Sequence, residues 1–141
     1  MIKVRQFDHV NLNVRDVERS IEFYGRVLGL PLVRRDVDAN GRTTFVAVKA
    51  GPQIVDLRPV PDFEPPAKPE GFNHLAFTIE ALYPDSLVDY LKSQGVDIQR
   101  GPVQNGGAYG RGTAIYFYDP DRYVIELKFY PPGAKELTPI G

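Results

Sequence analysis

Polar and apolar residues alternate strictly along a short stretch near the start of the chain, residues 7–14 (FDHVNLNV). Alternate side chains of a β-strand point to opposite faces. The pattern therefore predicts a strand with Val10, Leu12 and Val14 on an apolar face, and with His9 and two asparagines on the other. An imidazole between amides is unusual on a solvated surface and suits the wall of a cavity.

The same pattern returns at residues 72–79 (FNHLAFTI), where His74, Ala76 and Thr78 share the face opposite three apolar side chains. The chain has only two histidines, and they occupy matching positions in these two stretches. A helix is predicted after the first stretch, beginning at an N-cap aspartate and ending at a glycine. Three further strands complete a β-α-β-β-β order: residues 32–37, 43–48 and 53–58.

Residues 61–71 contain four prolines, which indicates a stiff connector between two modules. The second half then repeats the order of the first. It has a strand at 72–79, a helix from Pro84 to Gly95, and a short strand within 96–103. The glycine-rich residues 104–112 are predicted as a loop, and two strands follow, at 113–118 and 123–129.

This internal duplication decides the predicted fold. We expect an α+β fold in which two βαβββ modules form a curved mixed sheet, shaped as a cup, with one helix outside each half. The chain of 141 residues fits a single domain. Its predicted parts are module one at about 5–60, the connector at 61–71, module two at about 72–130 and a tail at 131–141.

Composition excludes several classes of function. A formal net charge of −1 gives no reason to expect nucleic acid or an anionic membrane as a partner. The absence of cysteine excludes disulfides and thiolate metal sites. With no signal-like N-terminus and no long apolar run, we expect a cytoplasmic protein that binds a small molecule.

Equivalent residues of two such modules would face each other across a pseudo-twofold axis. The first strands would then bring His9 and His74 together, and the last strands Asp56 and Glu126. Two imidazoles with one or two carboxylates suit a divalent metal ion such as Fe, Mn, Ni, Co or Zn. The sequence therefore predicts a metal site with positions left open for a substrate.

Four segments together resemble the vicinal oxygen chelate superfamily, also called the glyoxalase/bleomycin-resistance/extradiol-dioxygenase proteins. These segments are residues 8–16, 23–30, 73–77 and 119–127. Residues 63–65, 101–103 and 112–126 further resemble the small stand-alone members of the superfamily. The resemblance implies that His9, His74 and Glu126 are metal ligands and that the protein is a homodimer. Members with glyoxalase activity have a fourth ligand, a Glu, where this chain has the shorter Asp56.

A glyoxalase-like lyase or isomerase reaction is the first functional hypothesis from this resemblance. An extradiol-type dioxygenase is the second. A metal-free protein that sequesters a drug or metabolite, like the bleomycin-binding relatives, is the third, although those relatives generally lack the His/His/Glu set. Elemental analysis separates the three.

Strand alternation adds residues to the predicted site, and the predicted glycine-rich loop adds Tyr109 and Arg111 as a lid. Three are assigned to catalysis: Glu126, Asp56 and Tyr116. Five are assigned to substrate binding: Asn11, Arg58, Tyr109, Arg111 and Lys128. The alternatives left open are an Asp56–Arg58 salt bridge, a core role for Tyr116, solvated strand-end charges for Arg58 and Lys128, and simple loop surface for Tyr109 and Arg111.

Overall fold

The structure is a computed structural model that describes residues 1–65, 70–80 and 83–141. The chain divides into two compact units, Met1–Pro65 and Pro66–Gly141. The division falls inside the predicted connector, of which residues 66–69 lie outside the described residues. The grouping of both units into a single domain stays a prediction.

The first unit has the order β-α-β-β-β. Its elements are β1 (His9–Val14), α1 (Val17–Leu28), β2 (Leu32–Val37), β3 (Thr43–Ala50) and β4 (Gln53–Pro59). The four strands form one sheet in the order β1-β4-β3-β2. β1 and β4 are parallel, whereas the other two pairs are antiparallel.

The second unit repeats this arrangement. Its elements are β5 (Leu75–Thr78), α2 (Pro84–Ser93), β6 (Ile98–Gly107), β7 (Gly110–Tyr118) and β8 (Val124–Phe129). The sheet order is β5-β8-β7-β6, with β5 and β8 parallel and the remaining pairs antiparallel. The prediction of two βαβββ modules is thereby confirmed. No described helix is long and apolar enough to cross a membrane.

One face of each sheet is apolar and carries the helix of its own unit. In the first unit, α1 packs on β3 and β4, and its Phe23, Tyr24 and Val27 are buried. In the second unit, α2 packs on β6 and buries Leu87 and Leu91. Each helix thus covers apolar side chains of its own sheet, and polar residues are left on the opposite face.

The N-terminus of α1 is capped as predicted, because a side-chain oxygen of Asp16 accepts the backbone N–H of Arg19 at 3.1 Å. We expect Asp16→Ala to lower the free energy of unfolding by about 1 kcal/mol, since that N–H loses its partner. Urea unfolding measures the effect, and Asp16→Asn, which keeps a capping oxygen, is the control. A loss for Asp16→Ala within about 0.5 kcal/mol, the range of ordinary surface changes, contradicts it.

The prediction of a loop at residues 104–112 is wrong. β6 and β7 continue through this segment and pair up to Gly107 and Gly110, so that only two residues form the turn. Two of the four glycines allow close packing instead. A Cβ at Gly107 would lie 2.5 Å from Cε of Lys128, and one at Gly112 would lie 2.6 Å from the backbone oxygen of Phe129.

The strand predicted at residues 72–79 is shorter than expected, because only Leu75–Thr78 pairs with β8. His74 therefore lies one residue before β5, whereas His9 is the first residue of β1. Both histidines thus lie at the N-terminal end of the first strand of their unit, in matching positions as the sequence patterns predict.

Candidate functional site

The polar face of each sheet has a row of directly paired residues that crosses all four strands and includes a carboxylate. In the second unit this row is Ala76, Glu126, Tyr116 and Arg100. In the first unit it is Asn11, Asp56, Ala47 and Arg34. Directly paired residues in a sheet present their side chains on the same face. Each unit therefore has a carboxylate and an arginine in one row.

The two units also share an irregularity beside this row. On β2 the pairing advances two residues, from Leu32 to Arg34, while β3 advances one. On β6 it advances two residues, from Ile98 to Arg100, while β7 advances one. Such β-bulges redirect side chains. The bulges lie at equivalent positions in the two units, so the repeat is also seen at the level of individual residues.

His74 and Glu126 form the closest pair of this face in the second unit. Nε2 of His74 lies 2.8 Å from Oε2 of Glu126. On the other side of the ring, Nδ1 lies 2.6 Å from Oδ1 of Asn73. Glu126 is 4% exposed, whereas His74 is partly exposed. The carboxylate is therefore buried, and the imidazole reaches the surface.

His9 and Asp56 repeat this arrangement in the first unit with a wider spacing. Nε2 of His9 lies 3.7 Å from Oδ2 of Asp56, and Nδ1 lies 2.6 Å from Oδ1 of Asp8. The hydrogen bond to Asp8, followed by the negative charge of Asp56, raises the pKa of His9 above its ordinary value. Asp56 is buried, like Glu126.

Each of the two carboxylates has a buried oxygen with no hydrogen-bond partner among the described residues: Oδ1 of Asp56 and Oε1 of Glu126. A buried oxygen without a donor is costly, so such atoms need an explanation. Nitrogen and oxygen donors of this kind suit a divalent metal. Among the described residues, neither unit gathers three metal-binding side chains of its own.

Tyr116 is buried beside the pair. Its ring meets the His74 ring edge to face, with centroids 5.5 Å apart. Its hydroxyl oxygen accepts a hydrogen bond from Nδ2 of Asn105 at 2.5 Å. Burial, and then the charge of Glu126, raises the pKa of Tyr116, which keeps the hydroxyl protonated and able to donate.

Lys128 is 3% exposed, so the alternative of a solvated strand-end charge is wrong for this residue. Its Nζ lies 3.1 Å from the backbone oxygen of Asn105 and also contacts the side-chain oxygen of that residue. The same Nζ lies 3.6 Å from the otherwise unpaired Oε1 of Glu126. Lys128 thus fixes Asn105, which in turn holds the Tyr116 hydroxyl.

The remaining predicted residues lie further from the two pairs or at the surface. Asn11 pairs in register with Asp56 and is exposed, as is Arg58. Tyr109, in the hairpin turn, packs its ring on Tyr130 with centroids 5.3 Å apart. Arg111 is exposed and five residues before Tyr116, about 17 Å along the strand. The roles assigned to these residues in substrate binding stay predictions.

Sequence reasoning missed Arg100. The signal was available, because residues 32–34 (LVR) and 98–100 (IQR) occupy the same place in the repeat. Arg100 pairs directly with Tyr116, and its guanidinium lies 4.3 Å from the centre of that ring. The row that contains Glu126 therefore ends in a cation.

Comparison with known proteins agrees with this duplicated architecture. The family model described as the Glyoxalase/Bleomycin resistance protein/Dioxygenase superfamily matches residues 6–127. The chain belongs to this superfamily. The resemblance predicted from the sequence motifs is thereby confirmed.

Individual superfamily members match most of the chain. A glyoxalase domain-containing protein of Mycosarcoma maydis is 34% identical over 135 residues, covering 92% of this chain and 70% of that protein. A probable lactoylglutathione lyase of Vibrio cholerae is 30% identical over 128 residues, covering 84% and 86%. The crystal structure of a glyoxalase/dioxygenase from Nostoc punctiforme has a TM-score of 0.71 at 33% identity, covering 90% and 92%.

Proposed function

We propose that this chain is a divalent-metal-dependent enzyme with His9, His74 and Glu126 as its metal ligands. Its substrate is a small molecule with two neighbouring oxygen atoms, and the reaction is a glyoxalase-like lyase or isomerase reaction. We also propose that the enzyme is a homodimer, as the superfamily resemblance implies. The supporting observation is the arrangement found in both units, a histidine whose Nε2 faces a buried carboxylate with one unpartnered oxygen.

The ring orientation of both histidines supports a ligand role. In each unit the residue just before the histidine presents an oxygen to Nδ1 at 2.6 Å. Metal-binding histidines commonly donate one ring N–H to such an oxygen, which fixes the tautomer and leaves the other nitrogen free to bind. Asp8 and Asn73 supply this oxygen here, so Nε2 is the binding atom of both rings.

A bound divalent metal supplies stabilisation of negative charge on the substrate oxygens. The chain supplies the rest of the proposed chemistry. Oδ1 of Asp56 has no hydrogen-bond donor among the described residues and is suited to accept a proton from a substrate carbon. The Tyr116 hydroxyl is suited to donate a hydrogen bond to a substrate oxygen. Lys128 and Asn105 hold that hydroxyl in place.

The lyase reaction is favoured by the relatives, since proteins named as probable lactoylglutathione lyases match across more than four fifths of this chain at about 30% identity. An extradiol-type dioxygenase is the second candidate. It is favoured by the wider spacing in the first unit, 3.7 Å against 2.8 Å in the second. That difference fits a set of three ligands from which Asp56 is absent.

Metal content tests the proposal directly. We expect the purified or reconstituted chain to hold one divalent ion per chain, and His9→Ala and His74→Ala each to lose it, because both rings serve one ion. Elemental analysis after gel filtration measures the stoichiometry, and the exposed Glu22→Gln on α1 is the control. Nickel, cobalt or zinc supports the lyase, whereas iron or manganese supports the dioxygenase.

Two results would contradict the proposed site. Retention of half the metal in each histidine variant would show separate sites, one per unit. No metal after reconstitution would leave the sequestering protein as the remaining hypothesis. Light scattering on the same samples compares the particle mass with the chain mass of 15.8 kDa and so tests the homodimer.

A further inference from the structure

A cleft in the second unit adjoins the His74–Glu126 pair. It has a volume of about 300 Å³ and is lined by Asn73, Gln99, Arg100, Tyr116 and Val124. This size lies at the lower end of the range for small-molecule sites. Tyr116 forms one wall, and the same ring contacts His74 edge to face. A molecule seated in the cleft therefore lies beside the proposed reaction centre.

Arg100 provides the charge of this cleft. Its guanidinium is exposed and stacks on the Tyr116 ring with 4.3 Å between the guanidinium carbon and the ring centre. Within residues 1–65, 70–80 and 83–141, no carboxylate lies at ion-pair distance from it. A stacked guanidinium is already oriented and still offers its N–H groups at the edge of the plane.

The first unit shows what the same position looks like when its charge is neutralised. Arg34 follows the same bulge in the equivalent row. Its Nε and Nη2 lie 3.2 Å and 2.5 Å from the two carboxylate oxygens of Asp36, a bidentate pair. Two residues after Arg100 the chain has Pro102, and the residue that takes the register of Asp36 is Val103. Neither side chain can form this pair. Both units thus have the arginine, but among the residues that the structure describes only that of the first unit is paired with an acid.

The other polar walls of the cleft carry no charge. Asn73 uses its Oδ1 on His74 and keeps its amide nitrogen as a donor. Gln99, the bulge residue, donates from Nε2 to the hydroxyl of Tyr118 at 3.1 Å. Amide and guanidinium N–H groups around a small cleft, with no carboxylate among its lining residues, favour an anionic occupant.

We propose that Arg100 anchors an anionic group of the substrate, a carboxylate or a phosphate-like group, in the cleft beside His74 and Glu126. Calling the bound anion part of the substrate rests on the proposed function, whereas the binding of an anion at Arg100 does not. Arg100 then decides which small molecules the enzyme accepts, since neutral molecules gain nothing from it.

Anion titrations of the metal-free chain test the proposal without involving the proposed metal. Inorganic phosphate and acetate are added separately while two-dimensional NMR follows the backbone amides of the nitrogen-labelled, EDTA-treated protein. We expect saturable shifts at Gln99, Arg100 and Tyr116. Arg100→Gln is expected to weaken this binding by about tenfold or more, because a charge-assisted hydrogen bond is lost.

Arg34→Gln is the matched control, since Arg34 holds the equivalent position but is paired with Asp36. It is expected to leave the affinity unchanged, and the NMR spectrum shows directly whether each variant is folded. Tighter phosphate binding assigns a phosphate-like group, and tighter acetate binding a carboxylate. Absence of saturable shifts, equal affinity in Arg100→Gln, or equal loss in Arg34→Gln overturns the proposal. Because no metal is present, these outcomes do not depend on the proposed metal site.

Discussion

Glu126→Gln is expected to weaken binding of the divalent metal by more than about 100-fold, whereas Asp56→Asn leaves it within a few-fold of the unmodified chain. The two carboxylates occupy equivalent row positions, so their replacement is a matched comparison. Loss of a supporting group around a metal commonly costs about 10–100-fold in affinity, and loss of a ligand costs more. Glu126 lies 2.8 Å from its histidine, while Asp56 lies 3.7 Å from its own.

Competition with a chelating dye measures both affinities without any knowledge of the substrate. Two outcomes would refute the assignment. Equal losses in the two variants would make Asp56 a fourth ligand, the pattern that the superfamily resemblance associates with glyoxalase activity. Unchanged binding in Glu126→Gln would remove Glu126 from the ligand set. Circular dichroism of both variants verifies that the sheets are intact.

Gly101→Ala is expected to lower the free energy of unfolding by about 2–6 kcal/mol. Gly101 follows Arg100 on β6 with a φ of +113°, a conformation that residues with a side chain rarely adopt. A Cβ there would lie 2.7 Å from the backbone oxygen of Ala114 and 2.9 Å from Cα of Ile115. Backbone strain and overpacking contribute about 1–3 kcal/mol each.

Gly106→Ala is the control for this prediction. Gly106 lies on the same strand, but a Cβ at this position meets no atom within 4 Å. Urea unfolding of both variants gives the comparison. Since small domains are stable by only about 5–15 kcal/mol, Gly101→Ala is expected to unfold at much lower urea. Similar unfolding midpoints for the two variants would show that the strand relieves the contact by shifting.

The sequence carried enough information for the duplicated fold. Period-two alternation and the repeat also matched His9 with His74 and Asp56 with Glu126, and in each unit the structure places the histidine near the carboxylate. The fold could be predicted because side-chain direction within a strand is fixed locally by the backbone. Whether the two pairs serve one ion depends on how the units are placed, which stays a prediction.

Residues 104–112 show why other predictions failed. Four glycines there suggested a loop, because glycine has the widest conformational freedom. Glycine also allows close approach, and here it gives space to Lys128 and Tyr130 beside two long strands. Composition alone does not separate these two uses of glycine. The burial of Lys128 was equally hard to predict from the sequence. It depends on a contact with Asn105 on β6, which lies two strands away in the sheet order.

Arg100 was missed for a different reason. A single arginine on a predicted short strand has no distinctive pattern. Its importance depends on the lack of an acidic residue beside it in the sequence. Only comparison of residues 32–36 with 98–103 shows that no acidic residue follows Arg100 where Asp36 follows Arg34. The register of the sheets then shows that both arginines stand in the row of a carboxylate.

Each unit pairs its first strand with its last, so each completes its own ladder of backbone hydrogen bonds. One chain therefore contains two copies of the same row, and the copies can differ without disturbing each other's backbone pairing. In the first copy a neighbouring acid pairs with the arginine. In the second copy the described residues place no acid beside the arginine, so the two rows of one chain can perform different tasks.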